Sequence, residues 1–167
     1  MTTKWVDLEA DMFGISRVHE YVIRTGEYKY SYESDVASCI KDIEKLLARL
    51  HSYAPQHELM ICLGHSTNFR YSVYPQYKSN RRGIQRAAGY SAFREYLQRH
   101  YSNTVLPGVE ADDVLGIMYR PGDLLYSPDK DLRTIAGDHL LLNGEVMTVS
   151  QLEACLLYTS PSPRDRV

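Results

Sequence analysis

The sequence predicts an α/β fold in which a mostly parallel sheet is flanked by helices. Short apolar runs alternate with longer segments of helical periodicity, which favours a parallel sheet. Acidic side chains follow several of these runs, as expected where a parallel sheet gathers functional groups at the carboxyl ends of its strands. The chain has 167 residues, which is enough for one domain with a hydrophobic core.

The first half of the chain contains two predicted strands and two predicted helices. TKWVDLE predicts the first strand, and a helix is expected from near Asp11. Ser34 or Asp35 can cap a second helix, which Pro55 ends. ELMICL, residues 58–63, predicts a buried strand. The second helix carries an apolar stripe at three- and four-residue spacing, formed by Val36, Ile40, Ile43, Leu46, Leu47 and Leu50.

The second half begins with a tyrosine-rich, basic and loop-like segment, residues 69–83, which is followed by a predicted polar helix over 84–100. A further helix is expected to begin in an acid cluster and to run to Tyr119, and DLLYS predicts a third strand. A hairpin is expected between HLLL and EVMTV. Paired helix and strand breakers predict turns at Pro107-Gly108, Pro121-Gly122 and Asn143-Gly144.

The composition is that of an ordinary globular protein, with 44% hydrophobic and 24% charged residues. There is no run of about 18 apolar residues that could span a membrane. The start of the sequence lacks the apolar stretch of a signal peptide. Cys39, Cys62 and Cys155 are isolated and odd in number, which indicates reduced thiols. We therefore expect a cytoplasmic protein without a membrane partner.

The last thirteen residues, CLLYTSPSPRDRV, differ abruptly in composition from the rest of the chain. They resemble the translation of a common transposon-derived sequencing adapter. We therefore expect one domain over residues 1–154, followed by a non-native tail over 155–167. The alternative is a disordered natural tail.

Charge is segregated along the chain. Residues 69–100 contain seven Lys or Arg against one acid, whereas residues 108–131 contain six acids against Arg120 and Lys130. A basic stretch beside an acidic one suits a phosphate polymer held near a metal ion, although two solvated faces of opposite charge would give the same pattern.

The acids form three groups. In GVEADDVLGI, Glu110, Asp112 and Asp113 lie within four positions, where like charges 4 Å apart repel by about 1 kcal/mol even in bulk water. A helix dipole accounts for one or two acids in a first turn. It does not account for the groups that follow two predicted strands, namely Asp7, Glu9 and Asp11, and Asp129 and Asp131.

These groups predict a site for a hard divalent cation. No His or Cys lies at zinc-binding spacing, and carboxylate oxygens favour Mg²⁺ or Mn²⁺. Two such ions about 3.5–4 Å apart can activate a water and stabilise the leaving oxygen of a phosphate ester.

Taken in this order, the motifs FRYSVYPQYKSNR, GVEADD and SPDKD resemble the 5′-nuclease superfamily. The likeness is to bacteriophage-type 5′-3′ exonucleases and flap endonucleases, which are related to the 5′-nuclease domain of DNA polymerase I. It implies a PIN-like α/β core with a basic helical arch, so that residues 1–154 would be a 5′-nuclease core truncated at its C-terminus. It also implies two Mg²⁺ or Mn²⁺ ions and, as substrate, DNA with a 5′ end or a 5′ flap.

The resemblance also implies roles for individual acids. Glu110 and Asp112 would serve one metal ion, and the second would be served by Asp113, Asp129 and Asp131. An acid at the end of the first strand is expected as well, and both Asp7 and Glu9 fit.

The basic segment would supply the arch. The resemblance implies that Lys78 and Arg81 contact the scissile phosphate and that Tyr77 stacks on a terminal base. Lys and Arg clamps stabilise charge on a transferring phosphoryl group, and aromatic rings stack on bases of any sequence. Further contacts with DNA are expected from Arg70, Asn80, Arg82 and Arg86. Arg94 and Arg99 are expected to hold backbone phosphates.

The sequence departs from the family pattern in one place. Many relatives carry a further metal-binding Asp shortly before the FR pair, where this chain has GHSTN, residues 64–68. His65 could substitute only as a softer, neutral ligand. Two alternative functions stay open, a PIN-like ribonuclease and a nucleic-acid-binding fragment without competent metal sites.

Overall fold

The structure, a computed structural model, describes residues 2–81 and 83–159. The strands of the main sheet are β1 Thr3–Asp7, β4 Glu58–Cys62, β5 Asn103–Thr104, β6 Leu124–Tyr126, β7 Gly137–Leu140 and β8 Val146–Val149. Two further strands, β2 Glu20–Arg24 and β3 Tyr30–Ser34, form a separate antiparallel hairpin. The main sheet has the order β5-β4-β1-β6-β7-β8, in which only β8 is antiparallel to its neighbour. The α/β fold with a mostly parallel sheet is therefore confirmed.

Six α-helices lie within the described part of the chain. They are α1 Glu9–Val18, α2 Val36–Tyr53, α3 Arg70–Val73, α4 Tyr90–His100, α5 Ala111–Met118 and α6 Gln151–Thr159. Of the two caps that the sequence allows for α2, Ser34 and Asp35, the structure has Asp35, whose side chain accepts a hydrogen bond from the backbone N–H of Ser38. No helix in the described ranges is long and apolar enough to cross a bilayer.

The hydrophobic core consists of two clusters, one on each face of the sheet, and the central strand β1 contributes side chains to both. Val6 points into a cluster with side chains of α1, α2 and α4, including Met12, Ile43 and Phe93. Trp5 points to the opposite face. The second cluster joins it to Val114 and Leu115 of α5, Leu125 of β6 and Leu132. Because helices cover both faces of the sheet, the functional groups are left to its edges and strand ends.

Several boundaries differ from the expectation. The first helix begins at Glu9 rather than near Asp11, because its N-terminal turn starts directly after β1. The helix predicted over 84–100 begins only at Tyr90, since Ala87 to Gly89 form a turn against the β2–β3 hairpin. The hairpin itself has no counterpart among the predicted elements.

The structure describes only residues 155–159 of the predicted non-native tail over 155–167. Helix α6 runs from Gln151 to Thr159 and crosses the boundary expected after Ala154. Residues 160–167 lie outside the described part of the chain. The non-native tail therefore stays a prediction.

Candidate active site

Asp7 is the last residue of the central strand, and its side chain is only 6% exposed. Its carboxylate accepts hydrogen bonds from the backbone N–H of Glu9 (2.9 Å) and from the hydroxyl of Ser127 (3.0 Å). Burial raises the pKa of Asp7 to about 6, and the nearby charges of Glu9 and Asp112 act in the same direction. A bound cation would stabilise the ionised form of a buried acid that lies near other acids.

Glu110 and Asp113 begin α5 and cap it reciprocally. Each side chain accepts a hydrogen bond from the backbone N–H of the other residue, which fixes both carboxylates at the N-terminus of the helix. The acid cluster is thus placed by a capping box as well as by the helix dipole.

The basic segment lies directly over these two acids. Arg70 forms a bidentate ion pair with Asp113, at 2.5 Å and 2.6 Å. Lys78 Nζ donates to Glu110 Oε1 at 2.7 Å, and the hydroxyl of Tyr77 donates to Glu110 Oε2 at 2.8 Å. Residues of the basic segment and the acids, which are more than 30 positions apart in the sequence, therefore meet at one place.

These contacts divide the acids into two electrostatic classes. Hydrogen bonds from Arg70 lower the pKa of Asp113. Burial alone would raise the pKa of Glu110, but Lys78 and Tyr77 outweigh it, and the pKa is lowered. The pKa of Asp112 is raised, first by desolvation of its carboxylate and then by the charges of Asp113 and Glu110. Asp7 and Asp112 consequently gain more from an added cation than Glu110 and Asp113 do.

Glu9 joins the ends of two strands to α4. Its carboxylate accepts hydrogen bonds from the backbone N–H of Gly64 (3.2 Å), the hydroxyl of Tyr90 (2.8 Å) and Arg94 Nη1 (3.0 Å). The guanidinium of Arg94 is held by Glu9 and by the carbonyl of Gly64, and the expectation that it holds backbone phosphates stays a prediction. The spacing of Tyr90 and Arg94, four apart on one helix face, is the signal that could have identified them.

Asp129 and Asp131 lie on an exposed loop after β6. Asp129 caps a 3₁₀ turn, Lys130–Thr134, by accepting from the backbone N–H of Asp131 at 3.0 Å. Its own N–H donates to the hydroxyl of Ser127, which in turn donates to Asp7. Ser127 therefore connects this loop to the central strand, a role that the sequence did not reveal.

Three further residues predicted to contact DNA are exposed, namely Asn80, Arg81 and Arg86. Asn80 and Arg81 belong to a 3₁₀ turn, Ser79–Arg81, and the guanidinium of Arg86 lies 4.9 Å from the ring centroid of Tyr90. Lys78 has a positive φ of 49°, which turns the chain sharply before this 3₁₀ turn. Arg82 lies outside the described residues. Arg99, expected to hold phosphates, pairs with Glu95 on the outer surface of α4.

The segment that departs from the family pattern is closely packed at its start. A Cβ atom at Gly64 would lie 3.3 Å from the backbone nitrogen of Ala111 and 3.4 Å from Glu9 Oε1. His65 is exposed, and its Nδ1 accepts from the backbone N–H of Thr67 at 3.2 Å. The hydroxyl of Thr67 lies 2.8 Å from the same Nδ1, so both of these contacts tie the ring to its own loop.

The donor set fits a hard cation in kind, because it consists of carboxylates. Across residues 2–81 and 83–159, however, no three His, Cys, Asp or Glu side chains are grouped as metal ligands. Cations of the chain lie against Glu9, Glu110 and Asp113 instead. The division of the acids between two ions stays a prediction.

Comparison with known proteins gives the family. The profile described as "5′-3′ exonuclease, N-terminal resolvase-like domain" matches residues 17–156, which is most of the chain. No curated protein matches the sequence significantly.

Solved structures of a bacteriophage T5 nuclease are similar to the chain. A T5 protein co-crystallised with metal ions has a TM-score of 0.49 and 19% identity, covering 87% of this chain and 57% of that one. T5 5′-exonuclease with bound zinc ions has a TM-score of 0.48 and 22% identity, covering 89% and 58%. The T5 flap endonuclease in a pseudo-enzyme-product complex with DNA and metal ions has a TM-score of 0.45 and 21% identity, covering 89% and 58%.

The chain thus spans less than two thirds of the length of these structures. Family membership depends on the profile match, which covers α2, the basic segment and the acid cluster. The chain belongs to the 5′-3′ exonuclease family, as its N-terminal resolvase-like domain.

Proposed function

We propose that this domain hydrolyses phosphodiester bonds of DNA as a metal-dependent 5′-3′ exonuclease or flap endonuclease. The observation that carries the proposal is the meeting of Arg70 and Lys78 with Asp113 and Glu110 at the strand ends. Cations that can hold a phosphate and carboxylates that can hold divalent ions are the two parts that phosphoryl transfer requires.

Asp7, Glu110, Asp112, Asp113, Asp129 and Asp131 are the side chains that we propose as ligands. Asp7 is preferred to Glu9 because β1 ends at Asp7, whereas Glu9 is already held by Tyr90 and Arg94. When bound, Mg²⁺ or Mn²⁺ would activate a water and stabilise charge on the phosphate.

The residues of the basic segment orient the substrate. Lys78 and Arg70 lie above the acids, where their N–H groups can move from the carboxylates to the oxygens of a scissile phosphate. Arg81 and Asn80 are exposed beside them and can hold the adjoining nucleotides. Tyr77, whose ring is T-shaped against Tyr71 at 5.7 Å, can stack on a terminal base.

The test is a cleavage assay with a 5′-overhang duplex and a 5′ flap, each in Mg²⁺ or Mn²⁺. Asp129→Ala should lose cleavage by orders of magnitude and still bind the same DNA in EDTA, because Asp129 is exposed and its loss alters only a 3₁₀ cap. Glu95→Ala is the matched control, since Glu95 is an exposed acid on the outer surface of α4. Wild-type turnover by Asp129→Ala would contradict the proposal that Asp129 is a metal ligand.

One observation favours a second candidate, a nucleic-acid-binding domain that does not cut. Glu9, Glu110 and Asp113 are neutralised by cations of the chain itself. Wild-type binding without cleavage of either DNA in Mg²⁺ and in Mn²⁺ would select this candidate. Cleavage of a matched RNA strand in preference to DNA would instead indicate a PIN-like ribonuclease.

A further inference from the structure

The β2–β3 hairpin stands apart from the main sheet and exposes large side chains. Its cross-strand pairs include Val22 with Tyr32 and Arg24 with Tyr30. Tyr30 is 62% exposed and Tyr32 is 54% exposed. Exposure of a contiguous apolar surface to water is unfavourable unless a partner covers it.

The two faces of this hairpin differ in what they contact. Glu20 and Ser34 are paired at its base and so lie on the same face as Val22, Tyr32, Arg24 and Tyr30. Glu20 Oε1 accepts from the backbone N–H of Ala88 at 3.0 Å. A Cβ atom at Gly89 would lie 2.4 Å from Ser34 Oγ. This face of the hairpin, called the arch face below, therefore contacts the turn before α4, a few residues after the basic segment.

The chemistry of the arch face suits a nucleic acid. It carries Arg24, and its one acid, Glu20, is already occupied by Arg17 and Ala88. The guanidinium of Arg24 donates hydrogen bonds to the carbonyls of Gly26 and Glu27, which use two of its five N–H groups and hold it in place. The opposite face carries an acid, Glu33, with Tyr21, Ile23 and Ser31.

The spacing of the two rings is also suitable. Residues two apart on one strand face are about 6.6–6.8 Å apart, which is twice the ~3.4 Å rise of a stacked nucleic-acid strand. Parallel rings on Tyr30 and Tyr32 at this spacing would leave room for one unpaired base between them. Stacking of this kind needs an unpaired base and no particular sequence.

We propose that the arch face, formed by Val22, Arg24, Tyr30 and Tyr32, binds a single-stranded nucleic-acid segment that leaves the basic segment. The inference rests on the proposed function, because it extends the DNA path from Arg70 and Lys78 past Arg86 to the hairpin. Its occupant is a single strand rather than a duplex, since a base inside a duplex already stacks on its neighbours.

The experiment measures binding in EDTA, where cleavage cannot interfere. Fluorescence anisotropy compares an oligo(dT) strand, a duplex with a 5′ overhang and a blunt duplex. The double variant Tyr30→Ala/Tyr32→Ala should weaken binding of the single strand and the overhang by at least about tenfold and leave the blunt duplex unchanged. Tyr30→Phe/Tyr32→Phe should retain wild-type binding, because the rings are kept.

The matched control is Tyr21→Ala/Ile23→Ala on the opposite face of the same strands, where Tyr21 is 51% exposed. It should bind all three probes as the wild type does. Equal loss in the control and in the test variant would indicate a general disturbance of the hairpin and overturn the assignment of the arch face.

Other outcomes separate this inference from the proposed function. Wild-type affinity of Tyr30→Ala/Tyr32→Ala for the single strand would overturn the inference alone. If the wild type binds the single strand but never cleaves DNA, and Tyr30→Ala/Tyr32→Ala loses that binding, the nuclease proposal is overturned and the inference stands. A dimer that sedimentation detects in the wild type and not in this variant would make the face a protein interface and overturn the inference.

Discussion

Arg70 and Asp113 form a bidentate ion pair although they are 43 positions apart, and this pair joins the basic segment to the N-terminus of α5. The same carboxylate also accepts a hydrogen bond from the backbone N–H of Glu110. Asp113 therefore caps α5 and binds the basic segment at the same time. A divalent ion bound as proposed would meet this guanidinium beside Asp113. The arch cations and a divalent ion should therefore compete for the acids.

Arg70→Gln should strengthen Mn²⁺ binding, because it removes a positive charge and frees Asp113. Both side chains are partly exposed, so the expected gain in affinity is modest, about three- to tenfold. Titration calorimetry with Mn²⁺ alone measures it. Arg99→Gln, which breaks an exposed pair with Glu95, is the control and should leave Mn²⁺ affinity unchanged. Weaker Mn²⁺ binding by Arg70→Gln would show that the pair instead holds Asp113 in position for the ion.

Lys78→Met should slow cleavage more than it weakens DNA binding. Lys78 is a charge-assisted donor to Glu110, and loss of one such donor to a transition state costs about 10²–10³ in rate. The measurement is the single-turnover rate at saturating enzyme. Lys45→Met, which breaks an exposed pair with Asp42, is the control. An unchanged single-turnover rate would contradict the assigned role.

Without metal, Asp7 should make stability fall as pH rises. Its folded pKa of about 6 lies above the ordinary 3.8, so the protonated form stabilises the fold. This contribution is complete below about pH 4 and is lost as pH rises through about 6, a change of about 3 kcal/mol. Urea unfolding in EDTA at pH 4.5 and 7.5 should show Asp7→Asn gaining stability relative to wild type at the higher pH. A difference between the two proteins that does not depend on pH would contradict this origin.

Lys4→Met should destabilise the fold without affecting the acids. Lys4 is fully buried, and its Nζ donates to the carbonyls of Leu50 (2.6 Å) and Ala54 (3.1 Å) at the end of α2. Methionine fills the volume but removes this donor from the carbonyl of Leu50, at a cost of about 1–3 kcal/mol, whereas the carbonyl of Ala54 still accepts from the backbone N–H of His57. Thermal unfolding measures the loss. Retained Mn²⁺ affinity in the folded variant separates this effect from damage to the site.

His65→Asp should tighten Mn²⁺ binding by restoring a carboxylate beside the acid cluster. His65 is exposed, so the exchange has little effect on packing, and its backbone N–H still donates to the carbonyl of Val109. His65→Asn is the matched control, with the same shape and no charge. Equal Mn²⁺ affinity in the two variants would show that position 65 does not face the ion.

Sequence-based prediction succeeded for features that depend on nearby residues and failed where a distant residue sets the boundary of an element. Local patterns predicted the helix that Asp35 caps, the hairpin turn at Asn143-Gly144 and the acid cluster that opens α5. Each of these depends on neighbours within a few positions, which a sequence displays directly. The start of α4 at Tyr90 was missed because Glu20, 68 positions earlier, holds the backbone N–H of Ala88.

The candidate site follows the same division. The sequence by itself determined which acids and cations exist, their order, and the family to which that order belongs. Only the tertiary structure decided that Asp7 ends β1 while Glu9 turns to Arg94, and that Ser127 joins the Asp129 loop to Asp7. Ion pairs and hydrogen bonds depend on distances of a few ångströms between residues far apart in the chain. Such distances exist only once the sheet has placed β1 between β4 and β6.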